Sequence, residues 1–214
     1  MADNPAIGLR ERKKQITRQA LLDTATRLFE ERGYDNVTVA EIADAVNISV
    51  KTMFTYFASK EDLAFGEESL LRDALVAGIE QRPAGSTVLD AVAAALREAV
   101  SASDSEQILA GTRGYHRGYG DSPALQNRLR RMWSEYEDAL TDAVRTSSPK
   151  IRSTDARLEA MRATLLVRST TTTEVRDLIQ AANNPRAAML AWIRSAAKSL
   201  APTTGHTSAR RKPA

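Results

Sequence analysis

Apolar residues recur at the 3.6-residue helical period along almost all of this 214-residue chain, and that regularity excludes most folds. In the first long segment Ile16, Ala20, Leu21, Thr24, Ala25, Leu28 and Phe29 share one face, and Gly33 supplies the positive φ that ends a helix. Thr38 with Glu41 three places on forms a capping box that opens a short helix to about Val46. Asn47 suits a left-handed turn, and Ser49 caps a third helix through Tyr56. Ser59 and Asp62 open a fourth, carrying Leu63, Leu70, Leu71, Ala74, Leu75 and Ile79 until Pro83 and Gly85 stop it. Only VTVAEI alternates like a strand, and its cap chemistry favours helix. The fold class expected is all-α.

Beyond residue 85 the helices lengthen. Thr87 and Asp90 cap a helix bearing Val88, Leu89, Val92, Leu96 and Val100, and a shorter one spans about Glu106–Arg113. Ser122 caps, and Pro123 begins, a helix with the stripe Leu125, Leu129, Met132, Trp133, Tyr136, Leu140 and Val144. One helix from about Thr154 to Ala182 carries Leu158, Met161, Leu165 and Ile179. The last opens at Asn184–Pro185 and aligns Ala188, Met189, Trp192, Ile193, Ala196 and Leu200. The division expected is a flexible basic arm at 1–13, a small helical domain at 14–58, a larger one with its linking helix at 59–200, and a disordered tail at 201–214.

Composition narrows the function. The chain has no cysteine and only two histidines, His116 and His206, so a thiolate zinc site, a cysteine nucleophile and a Ser/His/Asp triad are all without material. The glycines of 111–120 follow no strand, which removes a phosphate-binding loop. No catalytic residue, metal or cofactor is therefore expected. No run nears 18 uninterrupted apolar residues and the opening MADNPAIGLRERKK lacks the apolar core of a signal peptide, so a soluble cytoplasmic protein without a membrane partner is expected. Thirty Lys plus Arg face 27 Asp plus Glu, and residues 198–214 hold four of the bases and no acid. Basicity is thus concentrated in the tail, and DNA binding has to be argued from a local motif.

That motif is TVAEIADAVNISVKTMFTYFASK, residues 38–60. Two short helices flank Val46-Asn47-Ile48, and small Ala43 sits where they must approach closely. This is helix-turn-helix spacing, in which the second helix presents its first residues to base edges in the major groove. Ser49, Val50, Lys51, Thr52 and Thr55 are its candidates: lysine donates to guanine, hydroxyls bond bases or phosphates, and valine meets a thymine methyl. Arg10, Arg12, Lys13, Lys14 and Arg18 form either an arm and helix face that touch phosphates or a solvated surface.

The longer run LFEERGYDNVTVAEIADAVNISVKTMFTYFASKEDL resembles the DNA-binding domain of TetR-family transcriptional regulators, over roughly residues 14–65 without gaps. The resemblance implies a three-helix DNA-binding domain, a C-terminal helical domain that binds a small-molecule effector, and a homodimer built by the final two helices. By position Thr38 resembles the helix-2 cap that meets phosphate, Lys60 resembles a lysine that contacts backbone phosphate near a helix N-terminus, and Tyr56 stands beside the backbone. Phe54 replaces a phosphate-bonding tyrosine and is expected to pack, while Thr55 shortens the reach of its position. The function expected is a repressor released from a palindromic double-stranded operator by an unidentified small molecule. The alternative is a structural DNA-binding protein without ligand, which a closed and filled second domain would favour.

For the effector, Met132, Trp133 and Tyr136 are either core or pocket wall, with Met161 on the next helix. Tyr115, His116 and Tyr119 are either a loop or a hinge beside the pocket. The run Thr170–Thr173 marks a bend or a polar patch of a pocket. The dimer face is expected on the last helix at Met189, Trp192, Ile193 and Ala196, whose stripe needs a partner.

Overall fold

Local signals set most helix starts in the computed structural model, which describes residues 8–66, 68–109, 111 and 122–202. Helix α1 spans Leu9–Arg32 and closes at Gly33, where φ is +80° and the N–H bonds Phe29 O at 2.9 Å. Residues 9–13, expected in a flexible arm, are its first turn. Its N-terminal turns are exposed and Ile16 keeps 61% of its surface, because α1 overshoots the helices it packs on; burial starts at Leu21. Helix α2 (Val39–Ala45) follows the Thr38–Glu41 box, Asn47 turns the chain at φ 59°, and α3 (Val50–Met53) starts at Ser49.

Helix α3 is shorter than expected. Thr55 and Tyr56 N–H reach back only three residues, to Thr52 O and Met53 O, and the Thr55 hydroxyl donates to Thr52 O at 2.7 Å, so the chain tightens into a turn. The fourth helix is also divided, into α4 (Lys60–Phe65) and α5 (Glu68–Glu80). Gly66 adopts φ +62° between them, a conformation open to glycine and unfavourable for a side chain. On α5 the buried phase is Leu75 and Ile79, while Leu70 is exposed and Ala74 faces water.

Helix α6 (Val88–Ala102) opens on the Thr87–Asp90 box, and residues 105–109 are helical. Tyr115, His116 and Tyr119 lie outside the described residues, as do residues 1–7 and 203–214. Helix α7 is Pro123–Ser147. The helix expected over 154–182 is two: α8 (Ser153–Ser169) and α9 (Thr173–Ala181). The threonines break it, since the Thr170 and Thr171 hydroxyls donate to Val167 O and Arg168 O at 2.7 and 2.9 Å, and Thr172 caps α9. Helix α10 is Pro185–Leu200, capped by Asn184.

Two cores result. The head core is Leu21, Leu22, Ala25, Val37, Ile42, Ala43, Met53, Phe57 and Leu63. The body core takes its side chains from α5 to α10, together with Tyr34 and Phe65. Helix α4 therefore belongs to both, giving Leu63 to one and Phe65 to the other. Helix α8 packs between α6 and α7 through small side chains, Ala156, Ala160 and Ala163, with Leu166 and Val167. Close approach through alanine turns Leu158, Met161 and Leu165 outward at 52%, 46% and 50% exposure, opposite to the face expected to be apolar and inside. On α10 the reverse holds. Ile193 and Met189 are buried within the chain's own body and have no surface to offer a partner, while Trp192 and Ala196 are partly covered. Among the described residues, no helix is long and apolar enough to cross a membrane, and the described residues contain no strand.

Candidate nucleic-acid interface and an apolar cavity

The head presents one polar edge. Met53, fully buried, anchors α3 to the head core, and Val50 and Tyr56 pack partly against that core. Ser49, Lys51 and Thr55 stay exposed, and Thr52 is half-buried. Ser49 Oγ accepts the Thr52 N–H at 3.0 Å and shares a 2.8 Å hydrogen bond with Thr52 Oγ1. Phe54, expected to pack, is 47% exposed because it falls at the end of the shortened helix.

Beside this edge lies a cleft of net positive charge, where Arg10, Glu11, Lys13, Lys14 and Thr17 of α1 face Thr55 and Tyr56. The overshoot of α1 creates it. Arg18 stands one turn along, its guanidinium 4.6 Å from the Phe57 ring centre. Thr38 is engaged by its own cap: Glu41 Oε2 accepts its N–H and its hydroxyl, each at 2.8 Å, and Glu41 N–H returns to Thr38 Oγ1. These bonds, with Arg32 at 2.7 Å, hold the Glu41 carboxyl well below its usual range, at about 2. Lys60 Nζ donates to Tyr34 O at 2.6 Å and lies 3.9 Å from the Tyr34 ring centre. Partial burial pushes its ammonium down against the pull of Asp35, Glu61 and Glu41. Lysine at this position thus ties the head to the turn after α1, with two further N–H groups left to donate.

Head and body are joined through Arg128, a residue that sequence reading passed over. Its Nε donates to Asp62 of α4 at 2.8 Å, its Nη2 to Glu68 of α5 at 2.7 Å, and its Nη1 lies 3.5 Å from Glu135. The guanidinium also sits 5.0 Å from the Phe65 ring centre. Burial pushes the Asp62 carboxyl up, but the bonds from Arg128 and Ser59 outweigh it and hold the group below its ordinary value. Tyr136 OH donates to Glu68 O at 2.8 Å, and Ser122, placed as the α7 cap, instead donates its hydroxyl to Asp35 of the head at 2.9 Å. The signal was periodic: Arg128 occupies the buried phase between Leu125 and Met132, where a charge needs partners.

The body contains a cavity of about 260 Å³. Leu71 of α5, Leu96 and Val100 of α6, and Met189 and Ile193 of α10 give it apolar walls. Ser103, Gln107, Thr170 and Thr171 supply its polar lining. The threonines therefore both break a helix and line a cavity. Met132, Trp133 and Tyr136 lie in the body core instead, and Met161 is on the outer surface. The cavity was illegible because four separated segments build it.

Residues 21–65 match the family model for bacterial regulatory proteins, tetR family. The HTH-type transcriptional regulator TcmR of Streptomyces glaucescens is 43% identical over 90 residues, which are 42% of this chain and 40% of that protein. BetI of Burkholderia mallei (strain NCTC 10229), also an HTH-type transcriptional regulator, is 36% identical over 108 residues, 50% of this chain and 52% of BetI. The chain thus aligns with about two-fifths to half of the length of these curated relatives. Likeness of fold extends further. The Thermus thermophilus repressor FadR, solved in complex with lauroyl-CoA, matches 92% of this chain and all of its own at TM-score 0.53 and 19% identity. Salmonella enterica GusR matches 91% of this chain and 96% of its own at TM-score 0.53 and 17% identity. Residues 21–65 thus form a head of the tetR family of bacterial regulatory proteins, and the chain as a whole shares its fold with solved regulators of that family.

Proposed function

We propose that this chain is a sequence-specific DNA-binding transcriptional regulator, a homodimeric repressor that a small molecule releases from a near-palindromic operator. The carrying observation is the exposed edge of Ser49, Lys51 and Thr55 on a buried Met53 anchor, flanked by the Arg10–Lys13–Lys14 cleft. Such an arrangement supports base readout by α3 and phosphate contact by the first turns of α1, with Arg18, Thr38, Thr52, Tyr56 and Lys60 framing the docking surface. Acting on DNA, the protein would work in the cytoplasm.

Two recognition helices on one side of a duplex have to stand about 34–36 Å apart, and two-fold symmetry makes the operator palindromic. The outward stripe Leu158, Met161 and Leu165, with half-covered Trp192 and Ala196, supports self-association through α8 and α10. The body cavity supports an effector site, as does the lauroyl-CoA held by the similarly folded FadR, and it disfavours a ligand-free structural protein. Effector and DNA would then favour different settings of α5, a linkage of about 1–3 kcal/mol. Selection from a random DNA pool tests this reading: a near-palindrome should be enriched, and Lys51→Ala should relax one position per half-site by about 1–3 kcal/mol. A pool that yields no enriched sequence would refute it.

A further inference from the structure

We infer that the body cavity takes an uncharged, mainly hydrocarbon molecule of one or two rings that carries a hydrogen-bond donor, a phenol or alcohol rather than a carboxylate or phosphate. This rests on the cavity being the effector site, and it specifies the chemistry of that effector.

Charge is the first ground. Among the described residues lining the cavity there is no Lys, Arg, His, Asp or Glu. An anion placed among Leu71, Leu96, Val100, Met189 and Ile193 would lose its water without gaining a counter-ion from the described lining. Three arginines close in sequence to its lining make other contacts, and the first, Arg72, pairs with Asp73 at 3.3 Å. Arg168 lies 5.5 Å from the Trp133 ring centre, and Arg186 Nη2 donates to Ser103 O while its buried Nε bonds no described group.

Hydrogen-bond polarity is the second. The hydroxyls of Ser103, Thr170 and Thr171 each donate to a carbonyl of their own helix: Ala99 O at 3.0 Å, Val167 O at 2.7 Å and Arg168 O at 2.9 Å. A hydroxyl has one proton and two lone pairs, so these three oxygens face a ligand as acceptors. Gln107 adds no acceptor freely, since its amide oxygen takes the Asp104 N–H at 2.9 Å. A molecule that only accepts is left with the Gln107 amide N–H groups alone, whereas a hydroxyl finds three acceptors. Size is the third: about 260 Å³ is just under the roughly 300–1,000 Å³ usual for drug-sized ligands.

Three matched probes separate these grounds: 4-cyclohexylphenol, 4-cyclohexylanisole, whose methyl removes the donor, and 4-cyclohexylbenzoate, which is an anion at neutral pH. Calorimetric titration of the full chain should give the phenol about tenfold tighter binding than the anisole and about 100-fold tighter than the benzoate. Thr170→Val/Thr171→Val should bring phenol and anisole within about twofold while leaving the anisole unchanged. Ser103→Ala provides a second, milder removal of an acceptor, with a smaller loss for the phenol alone. Benzoate binding tightest, which would turn Arg186 inward, overturns the inference; so does equal binding of phenol and anisole, or no binding of any probe at millimolar concentration. DNA selection on the same preparation keeps the two readings apart. A chain that selects an operator and ignores the probes loses this inference alone, whereas one that binds the phenol but selects no DNA retains the site and loses the regulatory role.

Discussion

Replacing Arg128 by methionine keeps the apolar stem that lies along Phe65 and removes the charge that three carboxylates share. The side chain is 10% exposed in the fold, Glu68 is 15% exposed, and Asp62 and Glu135 are 34% and 48% exposed. Removing one partner from a fully buried pair costs about 3–5 kcal/mol. Here Asp62 retains Ser59 and some water, and Glu135 is solvated, so Glu68 alone bears that penalty in full. About 2–3 kcal/mol is the resulting loss for Arg128→Met. At about 2–4 °C per kcal/mol for a chain of this size, the melting midpoint should fall by roughly 5–10 °C. Urea titrations of Arg128→Met, Glu68→Gln and the double variant measure the coupling directly. The double variant should recover about 1.5 kcal/mol or more of the summed losses, because a neutral amide in place of the Glu68 carboxylate no longer needs the guanidinium. Additive losses, or a cost below about 1 kcal/mol for Arg128→Met, would refute the account of the clamp.

Two further outcomes follow from the head and from α8. Glu41 has its carboxyl depressed to about 2, so its stabilisation of α2 is present above the ordinary carboxylate range and disappears as pH falls from about 4.5 towards 2. The difference in melting midpoint between the native chain and Glu41→Ala should narrow over that window, and a gap constant with pH would remove the capping box as its source. Met161→Glu sets a charge in the middle of the outward Leu158–Leu165 stripe and should weaken self-association by about 100-fold. Sedimentation should then report the 23.4 kDa chain where the native protein runs at twice that mass, and an unaltered profile would move the interface elsewhere.

What the sequence disclosed was local. The Thr38–Glu41 and Thr87–Asp90 boxes, the Ser59 cap, the turn at Asn47 and the stop at Gly33 each depend on a few adjacent residues, and each forms as expected. Faces of helices were harder where two apolar phases competed. Along α8, Leu158, Met161 and Leu165 compete with Ala156, Ala160 and Ala163, and side-chain area favours the leucines while helix approach favours the alanines. The neighbouring helices α6 and α7 decided it. Breaks were missed for a related reason: Gly66 and Thr170–Thr172 carry only modest intrinsic cost within a helix, and tertiary packing determines whether a helix runs through. The polar edge of the head was legible because one short motif holds it, whereas the cavity draws Met189 and Ile193 from a helix whose apolar face suggested a partner chain.

The clamp and the cavity meet on α5, and their spacing bears on how the proposed linkage works. Leu71 lines the cavity, and Glu68, one turn earlier on the same helix, is held by Arg128. Between Glu68 and the head stands Gly66 at φ +62°, a joint with no side chain to stiffen it. Left alone, such a joint would absorb a small shift of α5, and an effector pressing on Leu71 would change nothing at α3. Arg128 spans the joint, with Asp62 on one side and Glu68 on the other bound to a single guanidinium. Its worth of about 2–3 kcal/mol is comparable with the roughly 1–3 kcal/mol that linkage of this kind transmits. The bridge is therefore strong enough to make α4 and α5 move together, and α4 carries Leu63 into the head core. Stability and coupling become separable on this basis. A core truncation of equal cost away from the joint lowers the melting point and preserves the effector response, whereas Arg128→Met lowers both.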